Sequence, residues 1–328
     1  MSHQPDDTAG NSAAAEDPDW PRAATWLADP PPPRSDLALL AVLGVPAAQA
    51  SISPSRADQT PPAVRAALRR FSTLVARPAA EGSALDLRDL PAVDLGDLDV
   101  ADLDNEDAQQ VVELAVAELE ARSALPGRPD LLVLLGGDNA LTRPALRGLE
   151  PSLDRAGLLT LDAHHDVRGF HAGPSNGTPV RGLIEDGLDA RNVVQVGIGT
   201  FTNAPAHRAW CEERGVTVVT ADEARAEGVG ACVTRHLAAL AERCDVLYVD
   251  LDVDVLDVAF APGCPGARPG GLMPSELFAA AFAAGREPKV AAADIVEVDA
   301  AADADGRTVA AAALCLLHLA GGLLARAA

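Results

Sequence analysis

The chain has 328 residues, 48% of them hydrophobic, and a formal net charge of -22 at pH 7. Its length and apolar content suit one large α/β domain or two small ones. An acidic surface repels polyanions, so neither nucleic acid nor an anionic membrane is an expected partner. The five cysteines are dispersed without a CxxC pair, which favours reduced thiols and a cytoplasmic protein.

The start of the chain is predicted to be a disordered arm. Residues 1–34 are rich in Ala, Asp and Pro and end in four consecutive prolines, a composition typical of disordered segments. They lack the pattern of a secretion signal, and we expect no apolar run of membrane-spanning length in the chain. Trp20 and Trp26 are the residues with which such an arm would dock. Residues 35–328 are expected to form a single domain.

Apolar strand patterns alternate with helical patterns along the rest of the chain. Strands are predicted at 36–45, twice within 85–98, and at 130–135, 158–166, 192–198, 216–220, 246–254 and 290–298. Helices are predicted at 63–71, 107–122, 222–241, 274–284 and 307–327, with one more before residue 158. This alternation predicts a mostly parallel sheet with helices on both faces.

Two acidic clusters follow buried strands. They are Asp162, His164 and Asp166, and further along Asp250, Asp252 and Asp254. Residues two apart on a strand point to the same side, so each cluster is expected to present its polar groups on one face. Buried carboxylates are costly without a cation, and neither cluster contains a lysine or arginine. Two such clusters at the carboxyl edge of a parallel sheet predict two divalent ions that share carboxylate ligands.

Four motifs, in this order and spacing, resemble those of the arginase, agmatinase and formimidoylglutamase (ureohydrolase) family. They are Gly136-Gly137-Asp138, Asp162-Ala163-His164-His165-Asp166, Asp252-Val253-Asp254-Val255-Leu256-Asp257 with a Gly/Pro-rich loop after it, and Asp294-Ile295-Val296-Glu297-Val298. The resemblance covers roughly residues 37–320. It implies an arginase-like, three-layer α/β/α fold with a mostly parallel sheet of about eight strands, and a centre with two Mn²⁺ ions per subunit.

The resemblance also assigns the metal ligands, residue by residue. They are Asp162, His164, Asp166, Asp252 and Asp254, with Asp162 and Asp252 bridging the two ions. Asp250 stands where the family usually has serine and is not counted as a ligand. Asn139 stands where the family usually has a ligand histidine. Because an amide oxygen binds such an ion more weakly than imidazole does, that ion is expected to bind loosely.

Asn139 and Asn176 both replace histidines of the family, and together with Arg168 and the segment 261–266 they resemble the formimidoylglutamase branch. That branch implies manganese-dependent hydrolysis of N-formimidoyl-L-glutamate to L-glutamate and formamide, in histidine catabolism. A metal-bridging hydroxide would attack the amidine carbon. The resemblance further implies a homo-oligomer, either a trimer or a hexamer.

Four residues are candidates for catalysis and substrate binding. Asp166 would orient the hydroxide, and Glu297 would pair with the cationic amidinium of the substrate. Arg168 would hold a substrate carboxylate in a bidentate clamp, and Asn176 would donate to the amino-acid end. The ordinary alternatives are a supporting carboxylate for Glu297, charge balance for Arg168 and a turn residue for Asn176.

Two other functions remain open at this point. The same chemistry on a guanidino substrate, as in an agmatinase or guanidino-acid hydrolase, would release urea. A metal-poor, non-catalytic family member is supported by Asn139 alone. A substrate panel and a metal analysis distinguish the three functions.

Overall fold

The computed structural model describes residues 17, 19–34, 36–76, 82–122 and 128–327. In this part of the chain the strands are β1 (Leu40–Gly44), β2 (Leu74–Val75), β3 (Leu85–Asp86), β4 (Ala92–Asp97), β5 (Leu131–Leu135), β6 (Ala156–Leu161), β7 (Val193–Ile198), β8 (Thr217–Thr220), β9 (Val246–Asp252) and β10 (Val290–Val296). Eight of them form one sheet in the order β4-β1-β5-β10-β9-β6-β7-β8, and every neighbouring pair in it is parallel. The predicted sheet is therefore confirmed.

Helices cover both faces of this sheet. They are α1 (Ala23–Ala28), α2 (Thr60–Ala67), α3 (Asn105–Glu120), α4 (Thr142–Leu149), α5 (Pro179–Asp186), α6 (Pro205–Arg214), α7 (Ala221–Glu227), α8 (Val229–Ala241), α9 (Pro274–Arg286) and α10 (Arg307–Leu324). Helices α3 to α6 bury apolar residues on one face of the sheet, and α1, α2 and α7 to α10 bury theirs on the other. Burial on both sides explains why the central strands are continuously apolar.

Several predicted elements end or break earlier than the sequence suggested, among them the strand predicted at 246–254, which ends at Asp252 so that Asp254 lies in a 3-10 turn. Strand β6 ends at Leu161 and β10 at Val296, so the polar residues after them lie in loops. Alternation along a strand therefore does not explain how the first acidic cluster converges. The predicted helix 222–241 is two helices, because Gly228 between α7 and α8 has a φ of 91°.

Part of the predicted N-terminal arm is structured. Residues 1–16 and 18 lie outside the described part of the chain. Within the predicted range, helix α1 packs against the domain, with Trp26 buried. The indole Nε1 of Trp26 donates a hydrogen bond of 3.0 Å to the carbonyl oxygen of Leu90. Trp20 is about half exposed and stacks under the guanidinium of Arg22.

Helix α10 corrects the expectation that no apolar run reaches membrane-spanning length. Among the described helices it alone has the length and composition to cross a bilayer, with a mean hydropathy of 1.6. Most of it is nevertheless buried inside the fold, where it packs against α9 and α2. The core helix of a large α/β domain can be equally long and apolar, because protein covers it on most sides.

Candidate metal centre

The acidic residues meet because four adjacent strands end at the same level. In the order β5-β10-β9-β6, Leu135 pairs with Ile295, Val296 with Asp252, and Leu251 with Leu161. The loops that leave these four strands therefore open at one edge, where ligands bind in open α/β sheets. This edge therefore brings together predicted residues that lie as far apart in the sequence as Asn139 and Glu297.

Asp162, His164 and Asp254 form the most compact group at this edge. One potential ligand atom from each lies within 4.8 Å of the others. The Nδ1 atom of His164 is 2.6 Å from Oδ2 of Asp254 and 3.5 Å from Oδ1 of Asp162. Both carboxylates are buried, so water does not screen the negative charge that they bring together.

Burial and mutual repulsion raise the pKa values of three carboxyl groups at this edge. Burial and the charge of Asp254 raise the pKa of Asp162 to about 7. Burial, together with repulsion from the same group of acids, raises the pKa values of Asp166 and Asp252 well above the usual range. In the described part of the chain, no lysine or arginine forms an ion pair with any of these four side chains. The arrangement concentrates negative charge and leaves it without a lysine or arginine as partner.

His164 is the counter-charge that the protein itself supplies. Burial alone lowers the pKa of His164, but Asp254 and Asp162 outweigh burial and raise that pKa to about 11. In turn, the imidazolium holds the pKa of Asp254 below its usual range despite burial. A divalent ion fits this donor set, since four carboxylates and one imidazole are typical ligands of a manganese-like ion. Such an ion would replace the imidazolium proton as the local cation.

Asn139 lies next to Asp166 and is held from three sides. Its Nδ2 donates to Oδ2 of Asp166 at 2.7 Å, and its Oδ1 accepts from the hydroxyl of Thr142 at 2.7 Å. Its backbone N–H donates to Oε1 of Glu297 at 2.8 Å. With the amide assigned from these hydrogen bonds, its nitrogen faces Asp166. The role of Asn139 as a weak ligand therefore stays a prediction.

Glu297 is buried directly after β10 in a left-handed backbone conformation, with a φ of 64°. Burial, and then the charge of Asp138, raises its pKa to about 8. Asp166 also has a positive φ, of 50°. Left-handed backbone is unfavourable for residues with a Cβ atom, and it is concentrated at functional sites in proteins. No sequence pattern identifies these two conformations.

Asn176 joins two parts of the site. Its Nδ2 donates to Oε1 of Glu297 at 3.0 Å, and its Oδ1 accepts from the backbone N–H of Ile52 at 3.1 Å. Both ends of the amide thus have protein partners. Its predicted role as a donor to the substrate stays a prediction, and the observed contacts show it positioning Glu297.

Asp250 lies one step deeper in the sheet, beside Asp294 on β10. Burial and the neighbouring Asp294 raise the pKa of Asp250 well above its usual range. Oδ2 of Asp294 accepts a hydrogen bond from the hydroxyl of Tyr248 at 2.8 Å and lies 2.7 Å from the hydroxyl oxygen of Thr142. The predicted exclusion of Asp250 from the ligands is consistent with this position, since its nearest acidic partner is Asp294 and not the centre's compact group.

A cavity of about 110 Å³ opens above the acidic cluster. Its floor is formed by His164, Asp166, Asp252, Asp254 and Glu297. Its walls and rim include Ile52, Ser53, Arg168, Asn176, Gly177, Gly266 and Arg268. The site thus combines an acidic floor that attracts cations with two arginines that attract anions.

Residues 47–53 also contribute to the site, although no pattern in the sequence identifies them. Gly137 explains why this segment reaches the site, because a Cβ atom there would lie 1.6 Å from the carbonyl oxygen of Ala47. Next to it, the buried carboxylate of Asp138 accepts from the backbone N–H of Ala50 at 2.9 Å. The Gly-Gly-Asp motif signals a close backbone approach, but the sequence does not say which segment approaches.

Arg168 lines the cavity with an exposed side chain. Its side chain passes Gly177, where a Cβ atom would lie 2.7 Å from Cδ of Arg168. Within the described ranges its guanidinium forms no ion pair and no hydrogen bond. Charge balance, the ordinary alternative for this residue, would have placed the guanidinium against one of the acids on the floor.

Comparisons with known proteins agree with this architecture. The family model described as Arginase family matches residues 38–321. The formimidoylglutamase of Halalkalibacterium halodurans is 35% identical over 279 residues, which are 84% of this chain and 85% of that protein. The formimidoylglutamase of Bacillus subtilis is 34% identical over 286 residues, or 86% of each chain. The proclavaminate amidinohydrolase of Streptomyces clavuligerus is 36% identical over 179 residues, 54% of this chain and 56% of that one.

Solved structures show the same fold. The crystal structure of the Bacillus subtilis formimidoylglutamase superposes with a TM-score of 0.82 at 30% identity, covering 97% of this chain and 95% of that one. A formiminoglutamase from Trypanosoma cruzi, solved with Mn²⁺, superposes with a TM-score of 0.78 at 22% identity, covering 93% and 99%. The first structure supports relationship and fold, and the second supports the fold alone.

Proposed function

The chain belongs to the arginase family, and from that premise we propose that it hydrolyses N-formimidoyl-L-glutamate to L-glutamate and formamide. Two relatives with the name formimidoylglutamase each match more than four fifths of the chain. The observation that carries the proposal is the cavity, in which an acidic floor lies below Arg168, whose guanidinium forms no ion pair in the described residues. A substrate with a cationic amidinium and a carboxylate matches both charges.

We propose that Asp162, His164, Asp166, Asp252 and Asp254 hold manganese, two ions per subunit. Ions bound there would lower the pKa of a water molecule to yield a nucleophile and would polarise the amidine. The support is the compact Asp162, His164 and Asp254 group and the uncompensated charge around it. A Trypanosoma cruzi formiminoglutamase with the same fold was solved with Mn²⁺, which is consistent with this choice of ion.

Glu297 and Asp166 are proposed to bind the substrate and to accept a proton, respectively. Glu297 has one oxygen fixed by the N–H groups of Asn139 and Asn176. Its second oxygen has no hydrogen-bond partner in the described residues and is left for the amidinium. Asp166 is fixed by Asn139 at 2.7 Å, which orients its carboxylate to accept a proton from the attacking water. The contacts support these two roles, and substitution of either residue would test them.

A substrate panel tests the proposal. Protein loaded with Mn²⁺ should release formamide and glutamate from N-formimidoyl-L-glutamate, with much weaker turnover of guanidinopropionate, arginine and agmatine. The similarity to the proclavaminate amidinohydrolase makes a guanidino acid the second candidate substrate, with urea as the product to assay. Urea release from a guanidino acid, without formamide release, would replace the first proposal by the second.

Replacing Arg168 by methionine should raise the KM for formimidoylglutamate about 10- to 100-fold with a small change in kcat, because a charge-assisted bidentate contact contributes about 1.5–3 kcal/mol. Steady-state kinetics measure the two parameters. Arg191→Met, which removes an exposed guanidinium paired with Asp189, is the matched control. An unchanged KM in Arg168→Met would leave charge balance as the role of this residue.

Metal analysis tests the metal-poor alternative. Protein purified without chelator should contain more than one Mn²⁺ per chain, and fewer than one would favour a non-catalytic family member.

We further propose a cytoplasmic homo-oligomer, a trimer or hexamer. The support for a reducing compartment is that all five cysteines are free and buried. Sizing by light scattering tests the oligomer.

A further inference from the structure

We propose that Arg268 is a second carboxylate-binding residue of the cavity and makes the site selective for amidines of dicarboxylic acids. The proposal deepens the proposed function and rests on it. N-formimidoyl-L-glutamate carries two carboxylates, whereas a simple guanidino acid carries one and agmatine carries none. One arginine for each carboxylate would separate these substrate classes.

Arg268 is set apart from other exposed arginines by its position on the acidic cavity. Many arginines of the described chain pair with a carboxylate, as Arg65 does with Asp94 and Arg143 with Asp186. Arg268 and Arg168 both line the cavity, yet neither forms an ion pair with any carboxylate in the described ranges. Because four carboxyl side chains line the same cavity, two guanidinium groups that pair with none of them are poorly explained by charge balance. An anion brought by the ligand explains them both.

One side of the Arg268 guanidinium, the side that carries Nε–H and Nη2–H, has no partner in the described residues. Its Nη1 donates to the carbonyl oxygens of Pro265 at 3.0 Å and Ala267 at 2.9 Å. These two bonds hold the group to its own loop. Its Nε and Nη2 atoms have no partner in the part of the chain that the structure describes. Nε–H and Nη2–H form one side of the planar fork and match the two oxygens of a carboxylate.

The loop that carries Arg268 is braced against the acidic centre. The backbone N–H of Val258 donates to the carbonyl oxygen of Arg268 at 3.2 Å, and that of Gly270 donates to Oδ2 of Asp257 at 2.7 Å. Two residues before Arg268, Gly266 packs so closely that a Cβ atom would lie 2.4 Å from Oδ2 of Asp254. The guanidinium is therefore attached to a fixed segment, so less conformational entropy is lost when it binds a ligand.

The chemistry of the substrate suits this arrangement. The amidine carbon must lie at the acidic floor, and the two carboxylates of the glutamate skeleton then extend toward the walls. Arg168 follows β6 and Arg268 lies in the loop after β9, so the two guanidinium groups reach the cavity from different segments. Each would hold one carboxylate, and loss of either clamp should affect the carboxylate that it holds.

Kinetics with charge-deleted substrates test the proposal. Arg268→Met, Arg268→Lys and the wild type would be compared on N-formimidoyl-L-glutamate and on its two monoamides, the glutamine and isoglutamine derivatives. We expect Arg268→Met to lower kcat/KM for the dicarboxylate about 10- to 100-fold, mainly through KM. For one of the two monoamides the loss should fall below about threefold, because the carboxylate that Arg268 holds is already missing. Arg268→Lys should recover part of the loss.

A matched control removes the same charge elsewhere. Arg70 is exposed, does not line the cavity and has no ion pair in the described residues, so Arg70→Met should leave all three substrates unchanged. An equal loss in Arg268→Met on the dicarboxylate and on both monoamides would overturn the proposal. So would a loss of the same size in Arg70→Met, since it would indicate a general effect of charge.

A binding measurement separates this proposal from the proposed function. L-Glutamate should raise the melting temperature of the wild-type protein more than L-glutamine or L-isoglutamine does, and Arg268→Met should abolish the advantage over one of the two. If the wild type does not turn over formimidoylglutamate, the proposed function fails, while this selectivity for a second carboxylate would still support the role of Arg268. Equal shifts by all three ligands in both proteins would overturn that role.

Discussion

Replacing Asp252 by asparagine should lower amidine hydrolysis by about 10³-fold or more, which corresponds to about 4 kcal/mol of lost transition-state stabilisation. Asp252 is buried at the last position of β9, beside the compact acidic group. The change keeps the shape of the side chain and removes one negative charge, so metal affinity should fall together with activity. Titration with Mn²⁺, followed by metal analysis of the dialysed protein, measures the affinity.

The same substitution should stabilise the metal-free protein at neutral pH. Burial and the charges of Asp254 and Asp162 hold the pKa of Asp252 well above its usual range, which means that ionised Asp252 destabilises the fold. A neutral amide removes that repulsion. The expected pattern is therefore a higher melting temperature without metal and a smaller increase when Mn²⁺ is added.

Asp245→Asn is the matched control for this experiment. Asp245 precedes β9 at the opposite edge of the sheet, where it is exposed and pairs with Arg155. Its replacement should leave activity, metal affinity and the metal-dependent increase in melting temperature unchanged. If Asp252→Asn retained wild-type activity and bound Mn²⁺ as tightly as the wild type does, the assignment of Asp252 as a ligand would be wrong.

The metal-free protein should become less stable as the pH rises from 5 to 8. The pKa values of Asp162 and Glu297 are raised to about 7 and about 8, whereas both groups titrate near 4 in an unfolded chain. The folded state therefore binds more protons across this window, and the free energy of unfolding falls with rising pH, on the order of 2 kcal/mol or more. His164 acts in the same direction above pH 6.5, because its pKa is raised to about 11.

Added manganese should reverse this trend. The carboxylates must be ionised and His164 neutral to bind a metal ion, so binding releases protons and strengthens with pH. Melting temperatures of chelator-treated protein, measured at several pH values with and without Mn²⁺, should show the largest increase near pH 8. A melting temperature of the metal-free protein that rises with pH would contradict the raised pKa values of these carboxyl groups, and with them the repulsion inferred for the acidic group.

The sequence by itself determined the architecture. Strand and helix patterns alternate, and short connections with a fixed hand leave few arrangements other than a parallel sheet covered on both faces. The sequence also determined which edge carries the polar residues, because acids follow apolar strands at their carboxyl ends. Asp162, His164 and Asp254 were predicted to be close on this basis, and they are.

Only the tertiary structure decided how the site is completed. The order β5-β10-β9-β6 brings Asn139, Glu297 and Asp166 into contact, and strand order is not written in any local pattern. Ile52 and Arg268 belong to loops whose composition does not reveal what they approach, and they become part of the cavity because Gly137 and Gly266 let those loops approach closely. Local sequence sets local conformation and burial, whereas contacts between distant loops depend on packing of the whole chain.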